Sequence, residues 1–306
     1  MTRFPGYPFA SRWFAHPARA GLRQHYVDEG AGEPLLFLHG NPSWSYLWRR
    51  PILALRDRFR CVAPDHIGMG LSDKPAAGDY LHTLASRVDD LDALTSHLIA
   101  DRGAPDKGWT LVMHDWGGPI GMAWACRHPG RVARLVVLNT AAFPNPHGER
   151  ARLPLRLPLW LLGDTALGAR LILRHNLFAR GATWRPLGVR RRMPALVREA
   201  FLAPYDRPEH RVAIQHFIQD IPLRPRDPAW PILDGMGREL HRFADRPALI
   251  GWGLRDPVFD PAMLACWRRH LPRARTHVYP RAGHYVLEDA HEQLVPAIGD
   301  FLEGNG

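Results

Sequence analysis

The sequence predicts an α/β fold: a mostly parallel sheet with helices on both faces and an inserted helical lid. Three observations carry this. Continuous apolar runs such as Leu35-Leu36-Phe37-Leu38, Leu111-Val112-Met113 and Leu135-Val136-Val137-Leu138 are too short for helices and do not alternate, as befits strands buried on both faces. Segments of helical period lie between them, clearest in Leu84, Val88, Leu91, Leu94 and Leu98, which keep to one helical face. From about Phe143 to Pro231 strand-like runs vanish while Pro and Arg become dense. The expected division is a core over 1–142, a helical lid over 143–231 and the rest of the core over 232–306.

In chain order, residues 1–22 read as a polar, Pro-containing lead-in. Gln24 to Asp28 and Pro34 to Leu38 read as an early strand pair around the turn Glu29–Glu33, the second strand ending in His39-Gly40-Asn41-Pro42. Cys61 to Pro64 is the next strand and runs into Asp65-His66-Ile67-Gly68-Met69-Gly70. The helix through Leu84 follows, then strands at Trp109–Met113 and Leu135–Leu138. Short lid helices are expected at Leu157–Leu162, Leu167–Leu177, Ala195–Leu202 and Val212–Ile218. The sheet resumes at Ala248–Gly253, followed by a helix near Pro261–His270 and a last strand near Thr276–Tyr279. A C-terminal helix, which Pro296 should bend, closes the chain.

Composition excludes several classes. An apolar fraction of 46% with 11 Trp in 306 residues provides for a large core and rules out a disordered chain. The net charge of +10 comes almost entirely from Arg, since only Lys74 and Lys107 are lysines. The arginines are dispersed and no nucleic-acid-binding module is recognisable, so no nucleic-acid partner is expected. Arg190-Arg191-Arg192, the densest cluster, reads as a solvated face. Cys61, Cys126 and Cys266 are odd in number and widely spaced, without C-x-x-C or zinc-ligand spacing. They read as reduced thiols of a cytoplasmic protein, and no metal or cofactor is expected. The N-terminal stretch lacks the apolar core of a secretory signal, and no apolar run reaches membrane-spanning length.

The chemistry centres on His114-Asp115-Trp116-Gly117-Gly118-Pro119. A short strand turns sharply into a helix with Asp115 at the apex; the glycines let the backbone pass close behind, and Pro119 suits the first helical turn. Such an elbow usually carries a serine in G-x-S-x-G, a motif this chain lacks. A carboxylate is ionised at neutral pH without a base and can displace a leaving group from carbon to give an ester. By itself, Asp115 could equally be a turn residue beside a glycine pair. Asp256, in Gly253-Leu254-Arg255-Asp256-Pro257, and His284, in Arg281-Ala282-Gly283-His284-Tyr285, then follow strand ends in the order nucleophile, acid, histidine. Asn41 and Trp116 each supply a neutral N–H donor able to hold a departing anion beside Asp115.

The stretches His39-Gly40-Asn41-Pro42-Ser43-Trp44, Asp65-His66-Ile67-Gly68-Met69-Gly70-Leu71-Ser72-Asp73-Lys74-Pro75 and His114-Asp115-Trp116-Gly117-Gly118 resemble the haloalkane dehalogenase branch of the α/β-hydrolases. Ser86-Arg87-Val88-Asp89-Asp90-Leu91, Asn139-Thr140-Ala141-Ala142-Phe143-Pro144, Ala203-Pro204-Tyr205-Asp206 and Gln219-Asp220-Ile221-Pro222-Leu223 resemble more narrowly the bacterial olefin-biosynthesis β-lactone decarboxylases. The resemblance implies an α/β-hydrolase fold, with a mostly parallel eight-stranded sheet, and decarboxylation of a long-chain cis-β-lactone to a cis-alkene and CO2. It also implies a complex with the lactone-forming enzyme of that pathway. It assigns Asp115 as nucleophile, Asp256 and His284 as its acid and histidine partners, and Asn41 and Trp116 as anion donors. Asn139 stands where another dehalogenase subgroup has its catalytic acid, which favours Asp256 in that role. Haloalkane hydrolysis through the same Asp115 ester is the alternative. Epoxide hydrolysis is less suited, because that family uses two lid tyrosines and residues 143–231 hold only Tyr205. Attack at the β-carbon and attack at the lactone carbonyl both remain open at this level.

Overall fold

The computed structural model describes residues 4–19, 21–76, 78–146, 161–184 and 188–304. The strands are β1 (Arg12–Ala15), β2 (Arg23–Glu29), β3 (Pro34–Leu38), β4 (Arg60–Pro64), β5 (Trp109–Asp115), β6 (Val132–Thr140), β7 (Ala248–Gly253) and β8 (Arg275–Tyr279). They form one sheet in the order β1-β2-β4-β3-β5-β6-β7-β8. From β4 to β8 every neighbouring pair is parallel, while β2 runs antiparallel to both β1 and β4. Every residue of β3, β5 and β7 is buried, as continuous apolar strands covered on two faces require.

Two expectations need correction. β2 and β3 are consecutive but do not pair, because β4 lies between them. The Glu29–Glu33 segment is not a hairpin turn: Gly30 and Gly32 have positive φ, and a Cβ at Gly30 would lie 2.1 Å from the Arg56 carbonyl oxygen. That loop therefore packs on the end of α1 (Arg49–Leu55), the crossover between the parallel strands β3 and β4. The polar lead-in, for its part, contains β1 and contributes Phe4, Tyr7 and Phe9 to the core. Phe4 sits edge-on to Trp44, and the Tyr7 hydroxyl is 2.7 Å from Ser45 Oγ.

On the flanks, α2 (Leu84–Asp101) starts at Thr83, whose side chain accepts from the Ser86 N–H, and buries the apolar stripe read from sequence. α3 (Gly117–Arg127) follows β5 directly. Between β6 and β7 the described residues form α4 (Ala166–Leu173), α5 (Leu177–Ala182), α6 (Ala195–Leu202), α7 (Val212–Gln219) and α8 (Trp230–Glu239) and no strand. The single helix expected over Leu167–Leu177 breaks at Asn176, which takes φ 53° and donates through Nδ2 to the Tyr205 carbonyl. Of the helix expected at Leu157–Leu162, residues 157–160 lie outside the described residues, while 161–164 are helical. The expected boundary at 231 falls inside α8, which packs against α3. α9 (Pro261–His270) is capped by Asp260, which accepts from the N–H groups of Ala262 and Met263. The short α10 (Val286–Asp289) and α11 (His291–Leu302), which continues through Pro296, close the chain. No helix among the described residues is long and apolar enough to cross a membrane.

Candidate active site

Asp115 ends β5 with φ 53°, a left-handed conformation that costs a non-glycine residue energy and that surrounding structure must enforce. The enforcement is steric. A Cβ on Gly117 would stand 1.9 Å from the Leu38 carbonyl oxygen, one on Gly118 1.9 Å from Thr140 Oγ1, and one on Gly40 2.0 Å from Asp115 Oδ1. Only glycine at these positions lets β3, β6 and the elbow close so tightly. Thr140 adds a hydrogen bond from Oγ1 to the Asp115 carbonyl.

The two carboxylate oxygens of Asp115 face different partners. Oδ1 accepts the Asn41 backbone N–H at 2.6 Å, and the carboxylate also accepts the Trp116 N–H. Oδ2 stands 3.6 Å from His284 Nε2. Burial raises the Asp115 pKa, and the His284 charge and the two backbone N–H groups offset only part of that rise.

His284 is anchored from behind. Its Nδ1 lies 2.9 Å from Asp256 Oδ2, and its ring is stacked against Phe259 at 5.7 Å. Burial works against a charge on His284, yet Asp256 and then Asp115 override it and raise its pKa to about 9. Asp256 is itself fixed: Oδ1 accepts from the N–H groups of Val258 and Phe259, and Oδ2 from Asn139 Nδ2 at 2.9 Å. Asn139 is held by the Gly253 backbone, accepting its N–H at 2.8 Å and donating to its carbonyl at 3.1 Å. Asn139, which the resemblance places at the acid position of a related subgroup, thus holds Asp256 across 117 residues of sequence, a contact that only the fold reveals. His114 likewise reaches across 170 residues, its Nε2 lying 2.8 Å from the His284 carbonyl oxygen. The arginine cluster joins this frame as well. The Arg190 and Arg191 N–H groups donate to Asp289, and Tyr285 N–H donates to the Gly188 carbonyl, tying the returning lid segment to the His284 loop.

Asn41, Asp115, Trp116 and His284 line one cavity of about 510 Å³. Its remaining wall is almost wholly apolar, with Leu177, Phe178, Ile218, Ile221 and Leu223 from the lid facing Phe143, Leu233, Val258, Phe259 and Met263. All five residues expected from the sequence to form the site are thus in or beside the cavity, Asp256 standing directly behind His284. The Asn41 amide is not wholly free: Nδ2 donates to the Ile214 carbonyl of α7 at 3.1 Å, so the lid helps to orient it. Tyr205 is fully buried away from the cavity, its hydroxyl donating to the Ser43 carbonyl and accepting from the Gly70 N–H.

A family model described as the alpha/beta hydrolase fold matches residues 33–291. The chain belongs to the α/β-hydrolase fold family. Within it, the chain is 50% identical to a cis-3-alkyl-4-alkyloxetan-2-one decarboxylase of Xanthomonas campestris pv. campestris, covering 99% of both chains. A protein of the same name from Shewanella oneidensis is 44% identical over 93% of this chain and 86% of that one. Haloalkane dehalogenase 2 of Mycobacterium tuberculosis is 35% identical, covering 95% of this chain and 94% of the other. Among solved structures, haloalkane dehalogenase DatA of Agrobacterium tumefaciens superposes with a TM-score of 0.81 at 24% identity over 96% of this chain and 97% of that one, which speaks to the shared fold. The α/β-hydrolase fold expected from sequence is therefore borne out.

Proposed function

We propose that this α/β-hydrolase is a β-lactone decarboxylase that converts a cis-3-alkyl-4-alkyloxetan-2-one, with long alkyl chains, to a cis-alkene and CO2. The observation that carries the reading is the near-full-length identity to two proteins bearing that name, 50% and 44%, against 35% for the dehalogenase. The site supports it chemically. Asp115 Oδ2 attacks the ring carbon bearing the ring oxygen, breaking that C–O bond with inversion and releasing a carboxylate that Asn41 and Trp116 hold by N–H donation. The bond between the carboxylate and its carbon then breaks; its electrons form the alkene as the Asp115 ester leaves, giving CO2 and free Asp115. Departure anti to the ester after inversion amounts to net syn elimination and preserves the cis relation. No proton is gained or lost, so a protonated His284 suits the cycle. Its charge favours ionised Asp115 beforehand, and a protonated imidazole cannot activate water against the ester.

In this reading the helices between β6 and β7 act as a lid whose apolar face accommodates the alkyl chains. We further place the protein in the cytoplasm, where its three free cysteines would stay reduced. The lid's exposed Leu167, Leu177, Trp184 and Leu196 would dock the enzyme that forms the lactone, which co-purification at low and high salt would test. The deciding experiment for function offers a cis-β-lactone and a bromoalkane of equal length to the purified protein. Multiple turnovers to cis-alkene are expected. Alcohol and bromide at a catalytic rate, with no alkene from the lactone, would make the protein a dehalogenase.

A further inference from the structure

Behind the Trp116 side of the cavity lies a buried cation. Arg87, on α2, is 1% exposed; its Nη1 donates to Asp220 Oδ2 at 2.9 Å and its Nη2 to the His82 carbonyl at 2.9 Å. Its Nε is buried without a hydrogen-bond partner. The guanidinium carbon lies 3.5 Å from the centre of the Phe217 ring and 5.8 Å from that of Trp116, and those two rings are 5.5 Å apart. Trp116 is in turn part of the cavity wall beside Asn41 and Asp115. A continuous chain of ring contacts, with Phe217 tilted 56° to Trp116, therefore runs from a dry positive charge to the place where an anion is set free.

Stability is a weak reason to keep such a group. A buried ion pair can often be replaced by apolar side chains of similar volume at no cost, and here one donor is left unsatisfied as well. Arg stays charged when buried, and its influence is felt nearby, since its charge helps to hold both His82 and His216 below their usual pKa. A cation at the face of an indole is attracted to the ring's electron density. Polarisation in that direction makes the indole N–H a stronger donor toward an anion on its edge. Water, which would screen the effect, is excluded from this side of the wall.

We propose that Arg87 is a positioning residue of the anion site, its charge reaching the carboxylate released beside Asn41 and Trp116 across the Phe217 and Trp116 rings. Asp220 holds it there: besides the ion pair, Asp220 accepts the Leu84 N–H at the start of α2, fixing the guanidinium between α2 and the lid. The inference rests on the decarboxylase reading for its physiological anion, but a non-reacting probe tests it separately.

The probe is decanoate, with decanol as its neutral counterpart, bound to wild type and to Arg87→Met, Arg87→Lys and Asp220→Asn and measured by calorimetry. Loss of packing weakens both ligands alike; loss of charge weakens decanoate alone. The expected result for Arg87→Met is roughly tenfold weaker decanoate binding with decanol unchanged, and partial recovery in Arg87→Lys. Asp220→Asn keeps an oxygen to accept from Leu84 and Arg87 and removes the opposing negative charge, so decanoate should bind at least as tightly as to wild type. Equal losses for both ligands in Arg87→Met, unchanged decanoate binding in it, or an Asp220→Asn loss matching that of Arg87→Met would each overturn the proposal. Failure of wild type to decarboxylate the lactone would count against the function instead, because the decanoate-to-decanol ratio does not depend on turnover.

Discussion

A carboxylate at the elbow has to be both buried enough to attack well and charged enough to attack at all. In Asp115 burial pushes the pKa up, and the neighbouring protonated His284, with its own pKa raised to about 9, supplies the counter-charge. Asp115→Asn is expected to abolish turnover with the fold intact, because the amide keeps the shape but is no nucleophile; mass spectrometry must exclude reversion by deamidation. The same substitution removes one of the two negative charges beside His284, so an NMR titration should find the imidazole pKa lower than in wild type. The folded pKa of about 9 lies above the ordinary value of 6.5, so the His284 contribution to stability is complete below pH 6.5 and is lost as pH rises through 9. Alkylation by a bromoalkane removes the Asp115 charge that helps to keep His284 protonated, which leaves the imidazole able to activate water; His284→Ala should therefore stop at the ester and carry a mass adduct on the peptide containing Asp115. An adduct elsewhere would move the nucleophile.

At the scale of elements, the site exists because β3, β5 and β6 come closer at their carboxyl ends than side chains ordinarily permit. Gly40→Ala places a methyl group 2.0 Å from Asp115 Oδ1 and 2.5 Å from the Trp116 backbone nitrogen, and neither can move without opening the elbow. A displacement of about 1 Å at a reacting group can cost ~100-fold, and that loss of kcat is expected with circular dichroism unchanged. Asn41→Ala and Trp116→Phe each remove one anion donor and should slow ring opening by about 100-fold, or roughly 3 kcal/mol. The Asn41 variant also frees the Ile214 carbonyl, so it should additionally loosen α7, visible as faster amide exchange there, while Trp116→Phe should not. Equal single-turnover rates in wild type and both variants would place the anion elsewhere. The strands of this core were legible because burial on both faces leaves unbroken apolar runs. β1 escaped notice because it is a four-residue edge strand with a single buried residue, and the pairing of β2 with β4 did so because strand order leaves no trace in a run of apolar residues.

Over the whole molecule, the nucleophile, acid, histidine and two anion donors could be read from sequence because each sits beside a strand end in a local motif. What holds them could not. The supports are Asn139 to Asp256, Ile214 to Asn41 and His114 to His284, contacts 117, 173 and 170 residues apart that only the folded chain brings together. The packing of many histidines into the same interior has a consequence for pH. His39 and His66 are lowered from their ordinary pKa, and His82 and His114 fall to about 3, in each case first through burial. A histidine kept neutral in the folded state contributes stability that is present above the unfolded value of 6.5 and lost as pH falls toward its folded value. For one histidine titrating near 3 the loss at pH 5 is about 2 kcal/mol. Asp220, raised to about 6, and Asp115, also raised, work in the opposite sense, gaining stability as pH falls. With His216, His270 and His291 also lowered through burial, seven histidines stand against the raised His284, Asp220 and Asp115; acid is left destabilising, and the melting temperature should drop between pH 7 and pH 5, before most carboxylates titrate. His82→Phe separates this account from general acid unfolding. His82 is buried between Tyr80 and His216 with both ring nitrogens unpartnered, so an apolar ring fits its surroundings. The variant should melt close to wild type at pH 7 and above it at pH 5, and parallel curves for the two proteins would sink the explanation.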